Sequence, residues 1–132
     1  MFEGQKVVAV LDDESRMRSA LGRLLRTHGV VVDLYETGES FVESAKTHAP
    51  DCLLLDLHMP NMNGFDVLAE MAALNLPTKT IVITGHDEAS NAERVRELGA
   101  VDYLLKPLDE SVLIESIERA SHHSNGSPPP QS

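Results

Sequence analysis

The sequence of 132 residues predicts an α/β fold: a five-stranded parallel doubly wound sheet with five helices. Short apolar runs alternate with segments of helical periodicity, and this β-α unit occurs five times. Three of the runs, VVAVL, CLLL and TIVIT, are almost continuously apolar, which is typical of parallel strands covered on both faces. Alternation of this kind implies right-handed crossovers and helices on both faces of the sheet.

The predicted strands are the apolar runs themselves. They span Lys6–Leu11, Val30–Tyr35, Cys52–Leu55, Thr80–Thr84 and Val101–Leu105. The second run turns polar at Asp33 and aromatic at Tyr35, which predicts an edge strand with one face in contact with solvent.

The predicted helices fill the intervals, where apolar residues recur at spacings of three and four. In the first helix the apolar side carries Met17, Leu21, Leu24 and Leu25, and arginines occupy the opposite side. Gly99 follows the fourth helix, at the C-terminal position where glycine is common. The apolar residues that mark the later helices are Phe41, Val42 and Ala45; Phe65, Leu68, Met71 and Ala72; Ala92, Val95 and Leu98; and Leu113, Ile117 and Ala120.

Length and composition predict one globular domain. Hydrophobic residues make up 42% of the chain and charged residues 24%, close to the average for globular proteins. We expect the domain to span residues 1–121. Residues 122–132 (HHSNGSPPPQS) contain three consecutive prolines and no apolar periodicity, which predicts a disordered or extended tail or linker. A frayed chain end is the alternative.

Charge and hydropathy exclude several classes of function. The formal charge is −10 with a pI near 4.9, so the domain lacks the basic surface that direct nucleic-acid binding requires. No apolar stretch is long enough to cross a bilayer, and no secretory signal precedes the first strand, so we predict a cytoplasmic protein without membrane association. The single cysteine, Cys52, suits a reducing compartment.

Polar side chains follow four of the five predicted strands. Asp12 and Asp13 come after the first strand, Asp56 after the third, Thr84 ends the fourth and Lys106 follows the fifth. Each residue alone has an ordinary explanation as a helix cap, a turn residue or a loop residue. Those explanations do not account for the fact that all five residues lie at the carboxyl ends of strands. Doubly wound sheets bind their ligands at these ends. The sequence therefore predicts one shallow pocket that contains all five side chains.

The chemistry of such a pocket suits phosphoryl transfer. Carboxylate oxygens are the ligands that Mg²⁺ prefers, and a divalent cation offsets the repulsion between crowded carboxylates. Asp56 could then attack phosphorus and form an acyl phosphate. The ammonium of Lys106 and the hydroxyl of Thr84 would stabilise the phosphoryl oxygens. Neither a P-loop nor a G-x-G-x-x-G turn follows any strand, which argues against nucleotide binding.

Four motifs carry a resemblance to a known family. They are LDDE at Asp12, LLLDLHMPNMNG around Asp56, VITGH at Thr84 and DYLLKP at Lys106. With these motifs, Lys6–Ser121 resembles the receiver domains of two-component response regulators. The segment ITGHDE…ELGAVDYLLKPLD is most similar to receivers joined to helix-turn-helix transcription factors. The resemblance implies the flavodoxin-like strand order 2-1-3-4-5.

The resemblance also implies roles for the pocket residues. Asp56 corresponds to the phosphoacceptor and Lys106 to the cation that pairs with the phosphoryl group. Asp13 corresponds to a direct Mg²⁺ ligand, and Asp12 acts largely through water. Together with Asp56, the backbone carbonyl of His58 would complete the protein ligands of the metal.

Further implied features concern the switch and the partners. Thr84 and Tyr103 resemble the pair of switch residues, and the Lys106–Pro107 peptide bond would be cis. The phosphoryl donor would be a histidine kinase or a histidine phosphotransfer protein. The surface over about Asn91–Ser121 would form a receiver homodimer or contact an effector.

Several alternatives remain open from the sequence. A receiver-like interaction module that works without phosphorylation is the main one, although the acidic pair, the acceptor and the lysine are all present. An aspartyl-phosphate hydrolase of the haloacid dehalogenase pattern would need an aspartate where His58 stands. We therefore predict a phosphoacceptor that takes part in its own phosphotransfer and autodephosphorylation, not an enzyme. His58 and His86 flank the site, where they either influence acyl-phosphate hydrolysis or are solvated loop residues.

Overall fold

The computed structural model describes residues 6–121. The strands are β1 (Val7–Leu11), β2 (Val31–Tyr35), β3 (Cys52–Asp56), β4 (Lys79–Thr84) and β5 (Asp102–Leu105). The helices are α1 (Ser15–Thr27), α2 (Gly38–Ala45), α3 (Gly64–Ala73), α4 (Asn91–Glu97) and α5 (Glu110–Ser121). Among these described elements, none of the helices has the length and apolarity that a membrane span requires. The predicted tail over 122–132 lies outside the described residues.

The sheet has five parallel strands in the order β2-β1-β3-β4-β5, which confirms the predicted fold class. The strand order reverses between β1 and β3, because the chain adds β2 on one side of β1 and β3 on the other. Asp56 at the end of β3 pairs with Ile83, one residue before Thr84 ends β4. The carboxyl ends of β1, β3, β4 and β5 therefore meet at one edge of the sheet.

Two apolar layers cover the two faces of the sheet, because successive strand side chains point to opposite sides. Val8, Val10 and Leu54 pack against α1 and α5, whereas Ala9, Leu11, Leu53 and Leu55 pack against α2, α3 and α4. The largest fully buried side chains include Phe41, Leu25, Leu113 and Ile117 from the helices. The central strands are thus buried on both sides, as their continuous apolar runs predict.

One helical residue lies on a different face from the one that its spacing predicts. Ala72 was predicted on the apolar side of α3, but it is exposed, and the buried residues of this helix are Gly64, Val67, Leu68 and Met71. Gly64 lies on the buried side of the helix, because the lack of a Cβ lets it pack directly on Leu57 after β3. Val67 then points into the core, and Ala72 points to solvent.

Candidate functional site

Three carboxylates meet at the edge where β1 and β3 end. One oxygen from each of Asp12, Asp13 and Asp56 lies within 4.8 Å of the others. Asp12 and Asp56 are only 3% and 6% exposed, while Asp13 faces solvent. The acidic loop is held by two hydrogen bonds, from the Glu14 N–H to Asp12 Oδ1 at 2.9 Å and from the Arg18 guanidinium to the Asp12 carbonyl at 2.7 Å.

Lys106 brings a positive charge to the same pocket from the end of β5. Its Nζ lies 3.5 Å from Asp12 Oδ2 and 3.6 Å from Asp56 Oδ1. The backbone N–H of Lys106 donates to the Thr84 carbonyl at 2.8 Å, and the following peptide bond to Pro107 is cis. One ammonium thus pairs with two of the three clustered carboxylates, and the pocket keeps a net negative charge.

Burial and crowding change the acidity of the pocket. Burial, followed by repulsion from Asp12, raises the pKa of Asp56 to about 6, although Lys106 opposes the shift. Burial also raises the pKa of Asp12, and the Glu14 N–H and Lys106 act in the opposite direction. A hard divalent cation would remove this cost of ionisation, and a set of carboxylate oxygens suits Mg²⁺ rather than a softer metal. The residues present therefore fit the cation that the resemblance implies.

The Thr84 hydroxyl is fully buried at the end of β4 and is engaged within its own loop. Its oxygen accepts a hydrogen bond from the backbone N–H of His86 at 3.0 Å and lies 3.1 Å from Nδ1 of His58. The imidazoles of His58 and His86 are exposed, yet they pack edge to face with their centroids 5.0 Å apart. The two histidines thus contact each other beside the pocket.

Tyr103 lies on β5, half-buried against the apolar layer on the α4 side of the sheet. Its hydroxyl donates to Oδ1 of Asp87 at 3.0 Å. The hydroxyl therefore connects β5 to the loop that follows Thr84.

Sequence reasoning missed two residues near the pocket, Asp87 and Asn91. Asn91 is 3% exposed, and its side-chain amide donates to the His86 carbonyl at 3.3 Å. A signal was present for Asn91, because it precedes Val95 and Leu98 by four and seven residues and so shares their buried face. Asp87 gave no comparable signal, since its contact depends on the conformation of an exposed loop.

Fold and site together define a class of protein. The acidic pocket with its lysine lies at the switch point of a doubly wound sheet, where such folds bind ligands. Residues 8–118 match the family described as "Response regulator receiver domain". The chain belongs to this family, whose members are phosphoacceptors and phosphorylation-dependent switches and are normally not enzymes.

Several proteins similar to this chain are named as regulators of transcription. "Transcriptional regulatory protein FixJ" of Rhizobium meliloti is 37% identical over 116 residues, covering 88% of this chain and 57% of that protein. "DNA-binding transcriptional regulator NtrC" of Escherichia coli is 33% identical over 117 residues, covering 89% of this chain and 25% of that protein. The crystal structure of FixJ-N has a TM-score of 0.84 at 36% identity, covering 90% of this chain and 95% of that one. The chain therefore spans about half of FixJ and a quarter of NtrC.

Proposed function

We propose that this domain accepts a phosphoryl group on Asp56 from a phosphohistidine of a histidine kinase or phosphotransfer protein, and that the modification changes the surface over Asn91–Ser121. One observation carries the proposal. The ammonium of Lys106 lies within 3.6 Å of both Asp12 and Asp56 in a pocket where three carboxylates converge. A buried acid, a fixed cation and an acidic cation site are the parts that phosphoryl transfer to a carboxylate needs.

The transfer step requires Asp56 in its ionised form. One carboxylate oxygen of Asp56 attacks phosphorus, the new O–P bond forms as the N–P bond of the phosphohistidine breaks, and the leaving imidazole nitrogen takes up a proton. Because burial and Asp12 raise the pKa of Asp56 to about 6, added positive charge favours its ionised form. Lys106 supplies part of it and is placed to pair with an oxygen of the transferred group.

Metal binding is assigned to the acidic loop and the end of β3. Asp13 and Asp56 would be direct ligands of Mg²⁺, with Asp12 acting through water and the backbone carbonyl of His58 completing the set. Bound Mg²⁺ supplies charge neutralisation for the carboxylates and for the developing phosphoryl charge. The exposed position of Asp13 leaves the solvent side of the site open to a donor protein.

Thr84 and Tyr103 are proposed to convert phosphorylation into a change of surface. The Thr84 hydroxyl would leave its partners in the loop and donate to the phosphoryl group, and the ring of Tyr103 would follow. Phosphorylation then favours one arrangement only by its additional contacts in that arrangement. The changed surface would bind a second receiver or an effector, and the names of FixJ and NtrC favour an output in transcription.

Labelling with acetyl phosphate tests this function. We expect intact-mass spectrometry to show one Mg²⁺-dependent phosphoryl adduct, and borohydride reduction followed by peptide mapping to locate it at Asp56. Asp56→Asn should abolish the adduct. Asp33→Asn should keep it, because Asp33 is an exposed carboxylate on β2.

Two outcomes would contradict the proposal. Absence of any adduct in the wild-type protein would favour the alternative of a phosphorylation-independent interaction module. An adduct that persists in Asp56→Asn would place the acceptor elsewhere. A purified histidine kinase or phosphotransfer protein that transfers its label to the wild-type domain, and not to Asp56→Asn, would identify the donor class.

A further inference from the structure

The loop between β4 and α4 is anchored at both ends by hydrogen bonds that the proposed transfer step does not use. Residues 85–90 are all exposed. Both bonds are made by the backbone of His86. Its N–H donates to Thr84 Oγ1 at the end of β4, at 3.0 Å, and its carbonyl accepts from the buried amide of Asn91 at the start of α4, at 3.3 Å. Ser90 at the end of the loop has a left-handed backbone conformation with φ of 74°. The position of the loop therefore depends on where the Thr84 hydroxyl lies.

Asp87 connects this loop to the aromatic residue of β5. Its Oδ1 accepts the hydroxyl of Tyr103 at 3.0 Å, while the ring of Tyr103 is half-buried against the apolar layer. Burial and the bond to Asp87 raise the pKa of the Tyr103 hydroxyl, although a hydrogen bond with Asn91 opposes the shift, so the hydroxyl remains a donor at neutral pH. The carboxylate of Asp87 thus restrains the ring from its polar end.

We propose that Asp87 is a positioning residue that holds the ring of Tyr103 by its hydroxyl until the Thr84 hydroxyl leaves the loop. The inference rests on the proposed function, because the departure of Thr84 is the response to a phosphoryl group. When Thr84 moves, the His86 N–H loses its acceptor, and the loop loses one of the hydrogen bonds that position it. Asp87 then moves with the loop and releases Tyr103.

The proposal predicts the effect of removing the restraint. A hydrogen bond made in only one arrangement favours that arrangement, and its loss shifts the population toward the other. Beryllofluoride with Mg²⁺ mimics the phosphoryl group. It should therefore bind the arrangement in which Thr84 has left the loop and Tyr103 is released. We expect Asp87→Ala to bind beryllofluoride about two- to tenfold more tightly than the wild type, the range for one hydrogen bond.

Matched variants separate the hydrogen bond from the charge. Asp87→Asn removes the same charge but keeps an acceptor oxygen, so its beryllofluoride affinity should stay near that of the wild type. Tyr103→Phe removes the donor and should tighten binding as Asp87→Ala does. The double variant Asp87→Ala/Tyr103→Phe should be no tighter than either single variant, since all three lack the same bond. Additive effects, or Asp87→Asn behaving like Asp87→Ala, would overturn the proposal.

A spectroscopic readout follows the ring itself. The chain has two tyrosines and no tryptophan, so Tyr35→Phe leaves Tyr103 as the only tyrosine. In this background, with ring-¹³C-labelled tyrosine, Asp87→Ala should move the Tyr103 resonances toward their beryllofluoride-bound positions without any ligand. Unchanged resonances would overturn the proposal.

Failure of the inference is distinguishable from failure of the proposed function. A wild-type domain that binds beryllofluoride and is labelled by acetyl phosphate, with Asp87→Ala showing wild-type affinity, would refute the role of Asp87 alone. A wild-type domain that neither binds beryllofluoride nor takes up label would refute the proposed function and, with it, this inference.

Discussion

Asp56 is buried, crowded by other acids and only partly compensated by Lys106. Since the pKa is raised to about 6 from the ordinary 3.8, the folded protein binds this proton more tightly than the unfolded chain does. The protonated Asp56 therefore contributes stability at low pH, and this contribution is lost as the pH rises between about 4 and about 6. At neutral pH without a cation, the ionised carboxylate of Asp56 destabilises the fold, and the proposed function requires this ionised form.

This cost predicts a specific pH dependence of stability. Without Mg²⁺, Asp56→Asn should raise the free energy of unfolding at pH 7 by about 1–3 kcal/mol and should have little effect near pH 4. The pKa of Asp102 is lowered by Ser116 and Arg119 despite its partial burial, so its contribution to stability changes with pH in the opposite direction. The contribution of Asp102 cancels in the difference between the wild type and Asp56→Asn, because both proteins contain Asp102. Urea unfolding at a series of pH values measures the difference, and a gap that is constant with pH would contradict the account.

Lys106 should matter more to the chemistry than to the fold. Lys106→Met keeps most of the side-chain length but removes the ammonium near Asp12 and Asp56, so labelling by acetyl phosphate should be about a hundredfold slower. The ¹³C carboxyl resonance of Asp56 should also titrate at higher pH than in the wild type, because Lys106 lowers this pKa. Lys46→Met, which removes an exposed lysine paired with Glu43, is the matched control. Equal rates in the two variants would argue against the role of Lys106.

At the residue scale, the sequence predicts which side chains lie close together when their positions at the ends of strands determine it. Asp12, Asp56 and Lys106 lie at the carboxyl ends of β1, β3 and β5, which share one edge of the parallel sheet, so their closeness follows once the strands and their order are known. The contact of Asp87 with Tyr103 could not be predicted this way. It depends on a loop that includes Ser90 in a left-handed conformation, which its sequence does not specify.

At the scale of elements, the segment between β3 and α3 fixes the pocket. Asn63 caps α3 by accepting from the Asp66 N–H, and the Asp66 carboxylate accepts from the Asn63 N–H in return, a capping box. Gly64, the first residue of α3, sits against the chain directly after Asp56, where an added Cβ would lie 2.8 Å from Leu57 Cα. The start of the helix is thus tied to the residue that carries the proposed phosphoryl group.

Gly64→Ala should therefore destabilise the domain by about 1–3 kcal/mol, because the new methyl group meets backbone atoms that cannot move aside cheaply. Gly85→Ala is the control beside the same pocket. Its Cβ would lie 3.9 Å from Lys106 Cδ, an ordinary contact, so stability should change by less than about 0.5 kcal/mol. Chemical denaturation compares the two variants, and a Gly64→Ala protein as stable as the wild type would disprove the close packing.

Element boundaries were predictable because hydrophobic runs and caps define them locally. The strands agree with the predicted runs to within one residue at each end, for example Val7–Leu11 against Lys6–Leu11 and Asp102–Leu105 against Val101–Leu105. The side of α3 that faces the core was less predictable. Its buried side includes Gly64, which packs against Leu57 directly after β3, and apolar periodicity does not reveal this contact of a glycine.

At the scale of the whole molecule, the sheet order joins the separate loops into one site. β1 and β3 are neighbours at the switch point, and β4 and β5 follow on the β3 side. Periodicity along the sequence predicts the parallel sheet, but it does not give the order of the strands. The resemblance to receiver domains supplied that order, and the structure confirms it.

The central claim is that Asp12, Asp13, Asp56 and Lys106 form one pocket that binds a divalent cation. The free energy of unfolding at pH 7, measured while Mg²⁺ is raised, tests the claim most directly. We expect wild-type stability to increase by about 1.4 kcal/mol when Mg²⁺ is about ten times its Kd, and Asp13→Asn to lose most of this gain. The account would be contradicted if the free energy of unfolding of the wild type did not change with Mg²⁺. It would also be contradicted if Mg²⁺ stabilised Asp13→Asn as much as the wild type.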